Sequence, residues 1–419
     1  MVTVTIGSYI CTRPRHWSDH ASAIVLCSGI CVSCTVSRKM SKLNKKCFVL
    51  VVFAVAMLFA GYYLQVGPVS HLALSVIATG KRQLSASLKD QARGLSHNHT
   101  LPQSVVDRVK TFVFFMGYSR SGSSIVSSLM DAHPHIVIAY QYNVISLWNQ
   151  TLQNNKAYLY GELYAKSRKD ATVGWRSEHN IAKSYTLHID TGWQGRYDKH
   201  ISVIGDKAAD KTVNLFSRSR SNFSEVYTQL QETVEVPVKA VFVIRNPYDI
   251  ISTRTLYQNP EEVRKVLSTN STIASEEGSI KGIPATNFKS YMKQIKESGD
   301  EQAYEDAKFR PKDLEGPIKR VARQAKSISR MIDLIGSENV WQVHNMDLVS
   351  NPKATMMEMC DFFNVYCSND YIQTCVDSVF KNVSKSRDLV HWPQREKQLV
   401  MDKIINIFSF FSRYSYDSD

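Results

Sequence analysis

Five short apolar runs punctuate the C-terminal three quarters of the chain: residues 111–116 (TFVFFM), 136–139, 201–204, 238–244 and 340–343. Each is bounded by turn-forming or charged residues and carries little polar alternation. Such runs predict strands buried on both faces, as in a parallel sheet. Between them, apolar positions recur at helical spacing over 123–130, 249–257, 317–335 and 353–363. Strands that alternate with helices predict an α/β domain, a parallel sheet flanked by helices on both faces. Residues 258–315 interrupt this rhythm. They are charged, with Gly, Pro and Asn-Ser-Thr breaks, and predict a helical insertion lying over one end of the sheet.

The N-terminal part follows another pattern. Residues 47–64, CFVLVVFAVAMLFAGYYL, carry no charge. That length as a helix crosses the roughly 30 Å hydrocarbon core of a bilayer. Before it stand Arg13, Arg15, Arg38, Lys39, Lys42, Lys45 and Lys46 against Asp19 alone. Positive residues stay on the cytoplasmic side, so the pattern predicts a single-pass type II signal anchor with the C-terminus lumenal. The expected organisation is a cytoplasmic basic arm (1–46), a transmembrane anchor (47–66), a polar lumenal stem (67–109) and a folded domain (110–419). Glycosylation sequons at Asn98, Asn149, Asn222, Asn270 and Asn382 all follow the span, as this topology requires. Cys360, Cys367 and Cys375 are the lumenal cysteines. They allow one disulfide and one spare thiol, with the pairing open. They form no CxxC and no HExxH accompanies them, so no metal site is predicted.

Composition sharpens this picture in two ways. At 43% hydrophobic and 21% charged residues the 419-residue chain is globular rather than disordered. The formal net charge of +13 suggests an anionic partner. About half of that excess sits on the arm before residue 47, which argues against nucleic-acid binding by the folded domain.

The first apolar run leads into GYSRSGSS, residues 117–124. Gly117, Gly122 and Ser124 fit the G-x-x-x-x-G-x-[ST] skeleton of a phosphate-binding loop, with a strand before and an amphipathic helix after. The glycines let backbone N–H groups converge on an anion at a helix N-terminus. Nucleoside triphosphatases place Lys just before the final Ser/Thr, to reach the β- and γ-phosphates. Here that residue is Ser123, and the nearby cation is Arg120. Such a loop suits a less charged tail, such as a 5′-phosphosulfate, and disfavours a kinase or nucleotidase.

GYSRSGSS followed by LMDAHP resembles the phosphosulfate loop of the Golgi-type sulfotransferases, whose usual form is RSGTT with a downstream HP. FVIRNPYDIISTR (242–254) resembles that family's 3′-phosphate segment. Residues 340–365 are similar to its late strand and Pro-started helix. SKSRDLVHWP (384–393), ahead of a C-terminal helix ending at Tyr414 and Tyr416, is a fourth match. The matches run in the family's order over about residues 110–416.

The resemblance implies a membrane-anchored Golgi enzyme that moves the sulfuryl group of 3′-phosphoadenosine 5′-phosphosulfate to a hydroxyl or amine, without a metal. Arg120, Ser121, Gly122, Ser123 and Ser124 would hold the 5′-phosphosulfate. Arg245 would bind the 3′-phosphate with Ser252 or Thr253, and Arg387 and Trp392 would lie near the nucleotide. Many relatives carry Glu shortly after the HP; this chain has Ala139-Tyr140-Gln141-Tyr142. The expected base is instead Asp206, with Lys207 neutralising charge; Glu178, His179 and His188 are rivals. The expected acceptor is a lumenal glycan. The alternatives are a tyrosyl peptide, or a non-catalytic nucleotide- or glycan-binding protein on the same fold.

Overall fold

The computed structural model describes residues 3–7, 22–27, 30–35, 101–147, 155–174, 176, 188–190, 192–195, 200–218, 223–270 and 284–418. The expected anchor, 47–66, lies outside them, as do Glu178 and His179. Among the described residues no helix is long and apolar enough to cross a membrane. Two compact units divide the chain, Met1–Gly94 and Leu95–Asp419.

In the first unit the expected arm holds three strands, β1 (Thr3–Gly7), β2 (Ser22–Cys27) and β3 (Ile30–Thr35). They form an antiparallel sheet in the order β1-β3-β2. This structure was not expected from the sequence. The runs TVTIG, SAIVLC and ICVSCT are rich in β-branched residues, which favour extended backbone.

The second unit is built on five parallel strands: β4 (Thr111–Gly117), β5 (Ile136–Tyr140), β6 (Val203–Lys207), β7 (Val238–Ile244) and β8 (Val340–His344). Their order is β5-β6-β4-β7-β8. The central strand, β4, carries the phosphate loop. The chain leaves β4 towards β5 and later returns across it from β6 to β7. Open α/β sheets place ligands at the carboxyl ends of strands beside such a reversal.

Alternate side chains of each strand enter separate cores. Phe112, Phe114 and Met116 pack on one face with Phe242 and Ile244; Val113 and Phe115 pack on the other with Val241 and Val243. All of these are essentially solvent-free. Each such large side chain contributes about 1.5–3 kcal/mol by leaving water. This double burial is why the strands read as unbroken apolar runs. The β4–β6 pairing needs a glycine: a Cβ on Gly205 would stand 1.8 Å from the Val113 carbonyl.

The longer helices among the described residues are α1 (Ser123–Asp131), α2 (Lys156–Thr172), α3 (Asp210–Arg218), α4 (Phe223–Val234), α5 (Pro247–Gln258), α6 (Pro260–Asn270), α7 (Pro284–Ser298), α8 (Glu301–Ala307), α9 (Glu315–Ile335), α10 (Pro352–Phe363), α11 (Asn369–Ser378) and α12 (Gln394–Val400). Helices α6, α7 and α8 fall in the expected insertion. Several starts are visible in the sequence. Pro247 and Pro352 take first-turn positions behind Asn246 and Asn351, whose side chains accept from the N–H groups of Tyr248 and Ala354.

Two boundaries differ from expectation. The third strand runs over 203–207 rather than 201–204, because Asp206 and Lys207 find partners and stay inside it. The packed domain also reaches back into the expected stem: Val106 and Val109 are buried in its core. Cys360 is bonded to Cys367, and Cys375 is the buried free thiol. Burial pushes that thiol up to about 12.

Candidate functional site

The loop between β4 and α1 turns sharply because Arg120 and Gly122 both adopt left-handed backbone, at φ 73° and 99°. Glycine is required at 122: a Cβ there would also meet Asn345 Nδ2 at 2.5 Å. The turn aims the N-terminus of α1, beginning at Ser123, at the mouth of the loop. Ser121 is fully buried, and its Oγ has no hydrogen-bond partner in the protein. A buried hydroxyl left this way costs free energy unless a ligand or water satisfies it. The Arg120 side chain is exposed, with its guanidinium 3.7 Å from the centre of the Tyr257 ring on α5.

Lys207, the last residue of β6, leans into this loop. Its Nζ donates to Ser124 Oγ at 3.1 Å and lies 4.7 Å from the centre of the Tyr140 ring. The Tyr140 hydroxyl shares a hydrogen bond with the same Ser124 Oγ, at 3.1 Å. Only 4% of Lys207 is exposed. Burial lowers its pKa to about 8, with Asp210 and Asp206 pulling the other way. A buried cation at the N-terminus of a helix is placed to neutralise an anion there.

Asp206 points elsewhere. Successive strand residues face opposite sides of a sheet. Asp206 sits in register with Phe114 and Ala139, on the face away from α1. One carboxylate oxygen accepts from Tyr142 N at 3.1 Å, the other from Val144 N at 2.9 Å. Burial raises its pKa to about 6, against these N–H contacts and Lys207. The expected pairing of base and electrostatic partner therefore does not form: Lys207 faces the phosphate loop, and Asp206 holds the 142–144 loop. Within that loop Gln141 and Asn143 have left-handed backbone, and Tyr142 donates to Glu162 at 2.9 Å. The rival His188 is also displaced. The segment after it docks on the far end of α1, through Trp193 N to the Ala132 carbonyl at 3.0 Å. Eight residues of helix separate that point from Ser124, about 12 Å.

A second cluster forms at the end of β7. Arg245 Nη1 donates to the Arg120 carbonyl at 2.9 Å and to Thr253 Oγ1 at 3.5 Å. Its Nη2 donates to the Ser384 carbonyl at 2.5 Å and to Ser386 Oγ at 3.1 Å. One guanidinium thus ties the phosphate loop to the 384–386 segment. Of the two hydroxyls left open by the sequence, Thr253 faces Arg245. Ser252 is buried on another side and accepts from Trp392 Nε1 at 2.9 Å.

Arg387 is almost fully buried. Its backbone N–H and Nη1 donate to Asp249 at 2.8 and 2.9 Å, and its Nη2 donates to the Ser418 carbonyl. Its described contacts fasten the segment to α5 and the C-terminal residues. Lys289, on α7 of the insertion, donates to Ser384 Oγ and has a lowered pKa from burial and from Arg245.

Two cationic clusters thus stand side by side. Lys207 ends β6 and Arg245 follows β7, with β4 between them. Strand spacing sets them roughly 10 Å apart; the Arg120 carbonyl accepts from Arg245, and the Arg120 charge disfavours protonation of Lys207. Sequence reasoning located the loop, Lys207 and Arg245 by motif. It missed Tyr140, Ser386 and Lys289, which belong to no phosphate-binding spacing. Among the described residues no group of three metal-ligand side chains occurs.

No family model matches the chain, and no curated protein matches it. Solved structures that it is similar to include a sulfotransferase domain from the curacin biosynthetic pathway. That match has 14% identity, 68% of this chain and 84% of that one covered, and TM-score 0.32. Another is a sulfotransferase from Alicyclobacillus acidocaldarius, with 12% identity, 72% and 96% covered, and TM-score 0.32. A third is the mouse sulfotransferase SULT7A1 complexed with PAP, with 12% identity, 75% and 92% covered, and TM-score 0.31. Likeness at this level carries no functional argument.

Proposed function

We propose that the chain is a membrane-anchored sulfotransferase of the Golgi lumen, using 3′-phosphoadenosine 5′-phosphosulfate as donor and a glycan hydroxyl as acceptor. The observation that carries this is the pair of adjacent cationic clusters, Lys207 on Ser124 of the phosphate loop and Arg245 on the carbonyl of Arg120 in the same loop. A donor with two separate anionic groups matches both at once.

In this reading Ser121, Gly122, Ser123 and Ser124 cradle the 5′-phosphosulfate with backbone N–H groups and hydroxyls, and Ser121 Oγ gains a partner. Lys207 and Arg120 balance its charge. Arg245, Thr253 and Ser386 take the 3′-phosphate. During transfer the acceptor oxygen bonds to sulfur as the bond from sulfur to the bridging phosphate oxygen breaks. That electron pair leaves with the nucleotide, and the acceptor's proton passes to solvent water. Charge builds on the bridging oxygen, and Lys207 is placed to neutralise it.

Asp206 has the proton affinity of a base near neutral pH, but its oxygens are committed to the 142–144 loop. Its proposed role is to fix that loop as one wall of the acceptor side. The same commitment favours a second reading, a nucleotide-binding protein without transfer. The lumenal setting is supported by the charge-free stretch 47–64, the sequons beyond it and the Cys360–Cys367 disulfide, since disulfides persist in oxidising compartments.

The test is melting of the full-length chain in a chelator. Adenosine 3′,5′-bisphosphate should raise the melting temperature by mass action. Adenosine 5′-phosphate should raise it far less, and Arg245→Ala should remove most of the shift. Equal or greater stabilisation by ATP with Mg²⁺ would overturn the proposal. Binding without transfer of label from a sulfur-labelled donor to any glycan would favour the second reading.

A further inference from the structure

The helical insertion reaches the second pocket through one residue. Lys289 lies on α7, and its neighbour Phe288 is fully buried against Phe309, with ring centres 6.5 Å apart. Met292, one turn on, is buried in the same core. The helix is therefore pinned, and Lys289 is held where its ammonium meets Ser384. That contact is to a neutral hydroxyl. Among the described residues no carboxylate lies within ion-pair distance of Lys289. Its electrostatic neighbours are Arg245, which repels it, and Asp249, which Arg387 already engages.

A lysine held beside an arginine is disfavoured by their like charge, and an anion between them relieves the repulsion. The surrounding groups suit a tetrahedral anion. Ser384 Oγ, Ser386 Oγ and Thr253 Oγ1 can all donate, and Lys289 adds up to three N–H donors. Arg245 already fixes two walls of this space, the Arg120 carbonyl and the 384–386 segment. Lys289 supplies the remaining wall from a different part of the chain.

We infer that Lys289 is a phosphate-binding residue, closing the pocket of Arg245, Thr253, Ser384 and Ser386 over the 3′-phosphate of the nucleotide and so coupling donor binding to the docking of α7. This rests on the sulfotransferase reading and deepens it. It assigns the insertion a part in donor recognition rather than in the acceptor side alone.

The test compares adenosine 3′,5′-bisphosphate and adenosine 5′-phosphate, by calorimetry, on full-length wild type, Lys289→Ala and Lys289→Arg. Lys289→Ala should weaken the bisphosphate about tenfold or more and leave the monophosphate unchanged; Lys289→Arg should recover most of the loss. Hydrogen exchange across α7 should slow on adding the bisphosphate to wild type and not to Lys289→Ala. A purely structural lysine would not separate the two nucleotides. Bisphosphate affinity unchanged in Lys289→Ala overturns the inference and leaves the sulfotransferase reading standing. A wild type that does not prefer the bisphosphate overturns both.

Discussion

Two buried arginine–aspartate clusters stand among the described residues of this domain, and they are built to opposite ends. Arg176 and Asp131 are both fully buried at the far end of α1, with Nη1 2.6 Å from Oδ2. Asp131 also accepts from Ile138 N at 2.5 Å and from Ser167 Oγ at 3.0 Å, and Arg176 Nη2 donates to the Ile138 carbonyl at 3.1 Å. The ion pair is hydrogen-bonded here to neutral groups, while Arg176 Nε and Nη1 are buried without a hydrogen-bond partner. At the other end of the sheet Asp249 serves Arg387 at 2.9 Å and lies 3.9 Å from Arg245, with Lys289 in electrostatic reach. Positive groups outnumber the described carboxylate there, and hydroxyls line the gap. The buried Arg176–Asp131 pair fixes α1 to β5. A cation-rich cluster at the carboxyl edge of the sheet is stabilised by an incoming anion.

The largest expected effect tests the balanced pair. Arg176→Met leaves Asp131 buried without its countercharge, which costs about 3–5 kcal/mol. Chemical denaturation of the full-length chain should show that loss. The folded fraction should keep the wild-type melting shift with adenosine 3′,5′-bisphosphate. A cost below about 1 kcal/mol would erase the distinction between the two clusters.

The same distinction explains what could be read from the sequence. All five strands of the second sheet were legible, because burial on both faces leaves uninterrupted runs such as TFVFFM. The phosphate loop was legible because Gly122 and its hydroxyl neighbours are required by local backbone geometry. Helix α2, Lys156–Thr172, was not, since its buried residues include Gly161, Ser167 and Asp170, which blur the apolar stripe. That Asp206 and Lys207 face opposite ways was not legible, for a plain reason. Adjacent residues in a strand look alike as a dipeptide, and only the register sends one to the loop and the other across the sheet. Lys289 carried no local signal at all. Its neighbours in the pocket, Arg245 and Ser384, are far from it in sequence, and only tertiary packing joins them.

A smaller effect probes the cation-rich edge through Lys207. Its folded pKa is about 8 against an ordinary 10.5. The depressed value means that burying the charge costs stability below about pH 8. That cost is relieved as pH rises towards 10.5, where the unfolded chain also loses its proton. Without ligand, stability contributed by this group should therefore rise over that window. Anion affinity should move the other way, falling about tenfold from about pH 7 to about pH 9 as the folded-state proton leaves. Calorimetric titrations with adenosine 3′,5′-bisphosphate would show the fall. Lys207→Arg, charged throughout, should flatten it. A wild-type affinity independent of pH would mean that Lys207 does not face the anion.

The smallest effect divides two adjacent hydroxyls of α5. Ser252 Oγ accepts from buried Trp392 Nε1 at 2.9 Å, so Ser252→Ala strands an indole N–H and should cost about 1 kcal/mol or more of stability. That hydroxyl faces the packed C-terminal segment, so nucleotide affinity should hardly change. Thr253 Oγ1 stands 3.5 Å from Arg245 Nη1, at the edge of the pocket. It is only half-buried, and its neutral hydroxyl accepts from Arg245 at long distance. Thr253→Val should leave stability near wild type and weaken adenosine 3′,5′-bisphosphate by about 0.5–1.5 kcal/mol, with no effect on adenosine 5′-phosphate. The two variants thus place a stabilising contact and a ligand contact one residue apart on one helix. Melting curves and titrations of both, measured side by side, should show the stability loss in one and the affinity loss in the other. If Ser252→Ala weakens the bisphosphate and Thr253→Val does not, the 3′-phosphate sits on the Trp392 side of α5, and the pocket closed by Arg245 serves only to hold the loops together.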